Sequence, residues 1–133
     1  MAILKYRNYD DPIYQKPVQE VNDNCLTQVM LNQILQDMVD THFQEDTRHG
    51  VGLAANQIGY LYSIFLTHIS PIRAEKDKCD PISLTFWANA SFKPIDEELA
   101  YNSEGCFSVP GCMGKNVKRY AKISVLQKKS VFL

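Results

Sequence analysis

The chain has 133 residues, of which 45% are hydrophobic and 22% are charged, and its formal net charge at pH 7 is -1. A chain of this length buries about two thirds of its unfolded surface, so we expect one globular domain over residues 1–133. The near-neutral charge gives no overall basic surface for nucleic acid, and no apolar run suits a signal peptide or a membrane span, so we expect a cytoplasmic protein without membrane or specific nucleic-acid partners.

The first predicted element is an amphipathic helix over residues 25–43, which follows an extended segment containing Pro12 and Pro17. Apolar residues recur in this helix at four-residue spacing, which is typical of one buried face. They are Leu26, Met30, Ile34 and Met38. Asp23 or Asn24 is the predicted N-cap, and the polar tract after the helix ends it.

The next stretch, HGVGLAANQIG, places Gly50, Gly52 and Ala55 at the spacing of the dinucleotide-binding pattern G-x-G-x-x-G/A. That pattern needs a strand before the first glycine, a helix opening at the third position and a strand-end acid about 20 residues later. Here a polar stretch precedes Gly50, and the acidic residues at that distance lie in the polar run RAEKDKCD. The context therefore argues against a phosphate-binding loop.

Three strands are predicted after this stretch: YSIFLTHI (62–69), SLTFWANA (83–90) and VKRYAKISVLQ (117–127). Apolar and polar residues alternate along the last of them, as in a half-buried strand. Residues 70–82 and 91–105 are predicted to be irregular loops. One helix and several short strands predict an α+β domain.

The segment EGCFSVPG, Glu104 to Gly111, places Cys106 between a glycine and a Pro-Gly turn. A cysteine at such a sharp backbone feature can present its sulfur to a pocket, although a buried structural thiol has the same pattern. Because the chain shows no secretory signal, we expect thiol, ligand or packing roles for its four cysteines rather than disulfides. Cys25, Cys79 and Cys112 match no catalytic pattern, and we interpret them as structural.

A run of basic residues without acidic neighbours occupies the C-terminal region: Lys115, Lys118, Arg119, Lys122, Lys128 and Lys129. Such a run usually forms a solvated face of a strand. A contact with nucleic acid or with the ribosome is the alternative interpretation.

Taken together, GVGLAANQIG and EGCFSVP, about 50 residues apart, resemble two motifs of the peptide deformylase family, GφGφAAxQ and EGCφS, where φ is apolar. The opening ILKYRNYDDPIYQKPVQEVN also resembles the start of that family, so the resemblance covers the chain from Ile3 to about Gln127. It implies a deformylase-like fold of small antiparallel sheets around helices. It also implies removal of the N-formyl group from formyl-methionyl peptides.

The resemblance also implies roles for individual residues. Gln57 matches the amide that binds the formyl oxygen, and the backbone N–H of Phe107 completes that oxyanion site. Cys106 matches a ligand of a divalent metal, which is Fe²⁺ in the family, with zinc or nickel as alternatives. The matches that would line the substrate cleft are Gly50, Val51, Gly52, Leu53, Glu104 and Gly105, with Glu104 as an orienting hydrogen-bond partner.

Deformylases carry a third motif, HExxH, whose two histidines bind the metal and whose glutamate is the general base. This sequence has no HExxH, and its histidines are His42, His49 and His68. We therefore expect a fold without the C-terminal metal-binding helix, weak metal binding and no hydrolysis by these residues alone. A replacement site built from His42, His49 and Cys106 is one alternative. A non-catalytic module that binds nascent peptides or the ribosome is another, and a folded remnant without a ligand is a third.

Overall fold

The computed structural model describes residues 2–44 and 50–133. In chain order its elements are α1 (Gln28–His42), β1 (Gly52–Ala54), β2 (Ile64–Ile69), α2 (Pro71–Asp77), β3 (Ile82–Pro94), β4 (Leu99–Gly105), β5 (Met113–Tyr120) and β6 (Ile123–Lys129), with 3₁₀ turns at Pro12–Gln15 and Ala55–Ile58. Among the described residues, no helix has both the length and the apolar character needed to cross a membrane.

The strands form two antiparallel sheets. One has the order β1-β2-β3-β6, and the other consists of β4 and β5. Only Ala121 and Lys122 separate β5 in the small sheet from β6 in the large one. The predicted α+β class with small antiparallel sheets is therefore confirmed.

Helix α1 packs its apolar face on the large sheet and forms the core with it. The buried residues of α1 include Leu31, Ile34, Leu35 and Met38, and they contact a cluster that contains Leu53, Leu66 and Phe86. The predicted helix is present, but it begins at Gln28, because the side chain of Thr27 accepts the N–H of Met30 as the N-cap. The predicted caps Asp23 and Asn24 lie outside the helix, in a turn held by Asn22.

The prediction of one strand over residues 117–127 is wrong. The chain leaves β5 after Tyr120 and enters β6 at Ile123, and the two strands belong to different sheets. Backbone bonds on both sides fix this change of sheet, since Ala121 donates to Glu98 and Ile95 donates to Lys122. The alternating pattern does not mark a buried face here, since Val117 is half-buried while Ile123 and Val125 are 45% and 39% exposed.

The two predicted loops also contain regular structure. Helix α2 lies within residues 70–82, where the Ser70 side chain accepts the N–H of Arg73 and Pro71 occupies the first helical turn, two features that favour a helix start. Residues 91–105 contain the end of β3, which continues to Pro94, and the whole of β4. Both predictions of irregular loops are therefore wrong.

Asn89, inside β3, holds the N-terminal segment (residues 2–21) against the large sheet. Its φ of 52° lies in the left-handed region that asparagine tolerates. Its side-chain amide accepts the N–H of Val21 and donates to the carbonyl of Val21, both at 2.8 Å. Backbone N–H groups of the same segment donate to the carbonyls of Gln57 and Ser108, so the segment runs along both motifs.

Candidate functional site

Gln57 lies in the second 3₁₀ turn, directly after β1. Its side-chain oxygen Oε1 accepts the backbone N–H of Ala54 at 2.8 Å. Ala55, at the start of the turn, is fully buried, and Gly59 ends the turn with a φ of 104°. A backbone donor at Oε1 fixes which end of the amide is oxygen, so Nε2 has to face the opposite side.

Cys106 follows β4 and presents its thiol on that opposite side. The Nε2 of Gln57 lies 3.5 Å from the Sγ of Cys106 and 3.2 Å from the Oγ of Ser108. The thiol of Cys106 is exposed, whereas Ser108 is 5% exposed. The structure thus brings the two motifs together at one cleft, while the chemical roles of Gln57 and Cys106 remain predictions.

Phe107 comes directly after Cys106 in the chain. Its ring packs on the ring of Tyr6, with the ring centres 5.4 Å apart. The segment then turns, with the Val109 N–H bound to the Cys106 carbonyl at 3.0 Å and Gly111 at a φ of 74°. The turn holds the Cys106 and Phe107 backbone in a fixed orientation beside Gln57.

The glycine-rich motif contributes backbone to this region and one core side chain. Gly52 pairs with Thr67 of β2, and a Cβ at Gly52 would lie 3.2 Å from the carbonyl oxygen of Leu66, so the glycine permits close strand pairing. Leu53 is 2% exposed, and only its backbone can line a cleft. Gly50 and Val51 lie on the surface beside it, and Val51 accepts the N–H of His68.

Glu104 binds an arginine of the neighbouring strand. The Nε and Nη2 of Arg119 donate to its two carboxylate oxygens at 2.9 and 2.7 Å. This bidentate hydrogen bonding lowers the pKa of Glu104 from its ordinary value, which keeps the carboxylate ionised. At Gly105, a Cβ would approach the Cε of Met113 to 3.3 Å, so this glycine lets β4 and β5 pair beside Cys106.

The described residues do not form a complete metal site. Within residues 2–44 and 50–133 there is no group of at least three His, Cys, Asp or Glu side chains that could hold an ion. His42 is 3% exposed, and its Nε2 lies 3.2 Å from the Nδ1 of His68. Burial, followed by the charge of His68, lowers the pKa of His42. Of the predicted replacement ligands, His49 lies outside the described residues, so that alternative remains a prediction.

Sequence reasoning missed two residues that contact the site. Ser108 binds Gln57, and the hydroxyl of Tyr14 lies 2.9 Å from the Oγ of Ser108. Ser108 stands two residues after Cys106 in the second motif, and that position was its only signal. Tyr14 had none, because it is 94 residues from Ser108 in the chain.

Three comparisons with known proteins all match peptide deformylases. The family model of polypeptide deformylase matches residues 3–129. A peptide deformylase from Pseudomonas aeruginosa is 32% identical over 128 residues, which cover 94% of this chain and 66% of that protein. The chain therefore spans just under two thirds of the length of this curated relative.

The fold is similar to that of a class I type b peptide deformylase from Acinetobacter baumannii, with a TM-score of 0.77 at 23% identity, over 94% of this chain and 75% of that one. A further structure of that enzyme, with Met-Ala-Ser bound, gives a TM-score of 0.74 at 21% identity, over 95% of this chain and 84% of that one. This likeness shows that the two chains share a fold.

Proposed function

The chain belongs to the peptide deformylase family, and from that premise we propose that it recognises peptides that begin with N-formyl-methionine, in the cleft between Gln57 and Cys106. A cytoplasmic location, where nascent peptides arise, is part of the same proposal. The family is metal-dependent, and we propose Fe²⁺, or alternatively zinc or nickel, as the ion of a complete site, with Cys106 as one ligand.

The observation that carries the proposal is the orientation of the Gln57 amide. The backbone N–H of Ala54 occupies Oε1, and Nε2 points to the Sγ of Cys106 at 3.5 Å. A carbonyl oxygen placed beside Cys106 can therefore accept from Nε2, and the resemblance to the family implies the backbone N–H of Phe107 as a second donor. Two such donors bind a carbonyl oxygen and stabilise negative charge on it.

Recognition of the formyl group is the part of the reaction that these residues can perform. A formylated peptide has a carbonyl oxygen at its N-terminus, and a peptide with a free amino group has none there. Gln57 would bind that oxygen and so distinguish the two peptides. The described residues do not make a group that could hold an ion, so we assign no hydrolytic step to them. A non-catalytic module that holds formylated peptides would use the same cleft.

The contact with the ribosome stays a prediction. Lys129 pairs with Asp23 at 3.0 Å, and Arg119 pairs with Glu104 at 2.7 Å. These pairs neutralise part of the basic run. A surface for ribosomal RNA is favoured when such charges are unpaired and clustered.

The test compares binding of formyl-Met-Ala-Ser and Met-Ala-Ser by titration calorimetry. We expect the formylated peptide to bind more tightly, and Gln57→Leu to weaken its binding by about threefold to tenfold, as for loss of one hydrogen bond. Gln15→Leu, at an exposed glutamine outside the cleft, is the matched control. Equal binding of both peptides would contradict the proposal.

A parallel assay separates the enzyme from the non-catalytic module. Formate release from formyl-Met-Ala-Ser is measured with and without added Fe²⁺. Metal-dependent release that Cys106→Ala abolishes would identify a hydrolase, and formyl-selective binding without release would identify a binding module.

A further inference from the structure

A closed ring of hydrogen bonds connects the Gln57 amide with the N-terminal segment. Its members come from distant parts of the chain: Arg7, Tyr14, Gln57 and Ser108. The backbone N–H of Arg7 donates to the Gln57 carbonyl at 2.7 Å. The remaining contacts are Gln57 Nε2 to Ser108 Oγ at 3.2 Å, Ser108 Oγ to Tyr14 Oη at 2.9 Å, and Tyr14 Oη to the Arg7 carbonyl at 2.9 Å.

The number of protons available determines which atom donates and which accepts in each bond of this ring. A carbonyl oxygen only accepts, so the single hydroxyl proton of Tyr14 is donated to Arg7. Tyr14 Oη then accepts the hydroxyl proton of Ser108. The Oγ of Ser108 is left with lone pairs on the side of Gln57, where it accepts from Nε2. Each bond fixes the donor and acceptor roles of the next, and such chains strengthen their members cooperatively.

The bond from Ala54 fixes which end of the Gln57 amide is nitrogen, and the ring adds an acceptor for one of its two Nε2 protons. One proton is directed to Ser108, and the other is directed to the Sγ of Cys106. Ser108 is 5% exposed, which shields this bond from water. The side of the amide that faces Cys106 is the side where a formyl oxygen would bind, so the bond to Ser108 leaves one N–H oriented toward substrate.

We propose that Tyr14 is a positioning residue for the reaction, because its hydroxyl sets the donor direction of Ser108 and thereby holds the Gln57 amide in the orientation that receives a formyl oxygen. This inference rests on the proposed function of the Gln57 cleft. Tyr14 itself does not touch substrate, and its effect passes entirely through Ser108 and Gln57.

The variant that isolates this role is Tyr14→Phe, which removes one hydroxyl and keeps the ring. The backbone bond from Arg7 to Gln57 and the bond from Ala54 to Oε1 do not involve that hydroxyl. Tyr9→Phe is the matched control, because Tyr9 is 65% exposed and reaches Ser108 only through its backbone N–H. A residue that merely fastens the N-terminal segment would leave the Gln57 amide unchanged.

The first readout is independent of catalysis and of peptide binding. The side-chain NH₂ signals of Gln57 are identified in a ¹⁵N-¹H spectrum by their loss in Gln57→Leu. We expect Tyr14→Phe to shift these signals and to speed their hydrogen exchange by about threefold to tenfold, while Tyr9→Phe leaves them unchanged. Unchanged Gln57 signals in a folded Tyr14→Phe protein would overturn the inference.

The second readout is formyl-Met-Ala-Ser binding, with Ser108→Ala as a further variant. We expect Tyr14→Phe and Ser108→Ala each to weaken binding by about threefold to tenfold, and the double variant to be no weaker than Ser108→Ala alone, because both act through one contact. Additive losses would overturn the inference. If Tyr14→Phe fails to fold, Ser108→Ala alone tests whether the Gln57 signals depend on this bond, and unchanged signals again refute it.

Failure of the proposed function gives a different pattern. If the proposed function fails, the wild-type protein binds the formylated and unformylated peptides equally. The side-chain NH₂ signals of Gln57 in Tyr14→Phe still show whether Tyr14 holds the amide.

Discussion

The hydrogen bond between Tyr60 and Asp37 connects the Gln57 turn to helix α1, and its loss has a calculable effect. Asp37 is 3% exposed, and its Oδ2 accepts the hydroxyl of Tyr60 at 2.5 Å. Its Oδ1 accepts the side chain of Gln33 at 2.8 Å and the backbone N–H of Ala2 at 3.2 Å. Burial, and then the bond to Asp37, raise the pKa of Tyr60 from 10.0 to about 12.

The perturbation is Tyr60→Phe, which leaves the buried carboxylate of Asp37 without one donor. A hydrogen bond to a charged group contributes about 1.5–3 kcal/mol. The rise of about two units in the pKa of Tyr60 corresponds to at most about 2.7 kcal/mol. Burial of the phenolate is its largest cause and solvent screening reduces it, so this figure is an upper bound on the bond to Asp37. We therefore expect Tyr60→Phe to lower the free energy of unfolding by about 1.5–2 kcal/mol at pH 7.

The contribution of Tyr60 to the free energy of unfolding should be lost at high pH. Because the pKa of Tyr60 is higher in the folded state, its contribution is complete below pH 10.0 and disappears as the pH rises toward about 12. Urea unfolding followed by far-UV circular dichroism measures the difference between wild type and Tyr60→Phe across this range. Tyr101→Phe, at an exposed tyrosine of β4, is the control. Equal urea midpoints for Tyr60→Phe and wild type at pH 7, or a difference that persists at pH 12, would refute the reasoning.

Two further predictions concern α1. The lowered pKa of His42 means that the fold favours its neutral form, so stability should fall as the pH drops below about 6.5, and His42→Phe should weaken that dependence in urea titrations at pH 7.5 and 5. Met38→Ala, at a fully buried position, should cost about 2–5 kcal/mol in the same assay, whereas Val29→Ala, 80% exposed, should change stability by less than about 0.5 kcal/mol.

The elements that the sequence predicts well are those whose pattern reflects local burial. Helix α1 has a single apolar face, and that face alone indicates its presence, although Thr27 rather than Asp23 or Asn24 caps it. The division between β5 and β6 was missed, because the bonds from Ala121 and Ile95 that cause it join residues distant in the chain. Periodicity reports burial of one face and contains no information about which sheet provides it.

The candidate site is also only partly predictable from the sequence. Gln57 and Cys106 stand in recognisable motifs, and the structure brings them to one cleft. Leu53 belongs to the same motif, but its side chain lies in the core. Tyr14 has no neighbouring pattern that distinguishes it from any other tyrosine. Its position follows only from the folded path of the N-terminal segment, which Asn89 holds in place.

The distance along the chain between Tyr14 and Ser108 has a consequence for the order of assembly. This contact spans 94 residues, and the contact of Gln57 with Cys106 spans 49. During synthesis Tyr14 emerges well before Ser108, so the N-terminal segment lacks this partner until Ser108 has left the ribosome. Closure of such long loops slows folding. Helix α1 can form early from local contacts, whereas the contact between Gln57 and Cys106 and that between Tyr14 and Ser108 form only after the second motif has been synthesised.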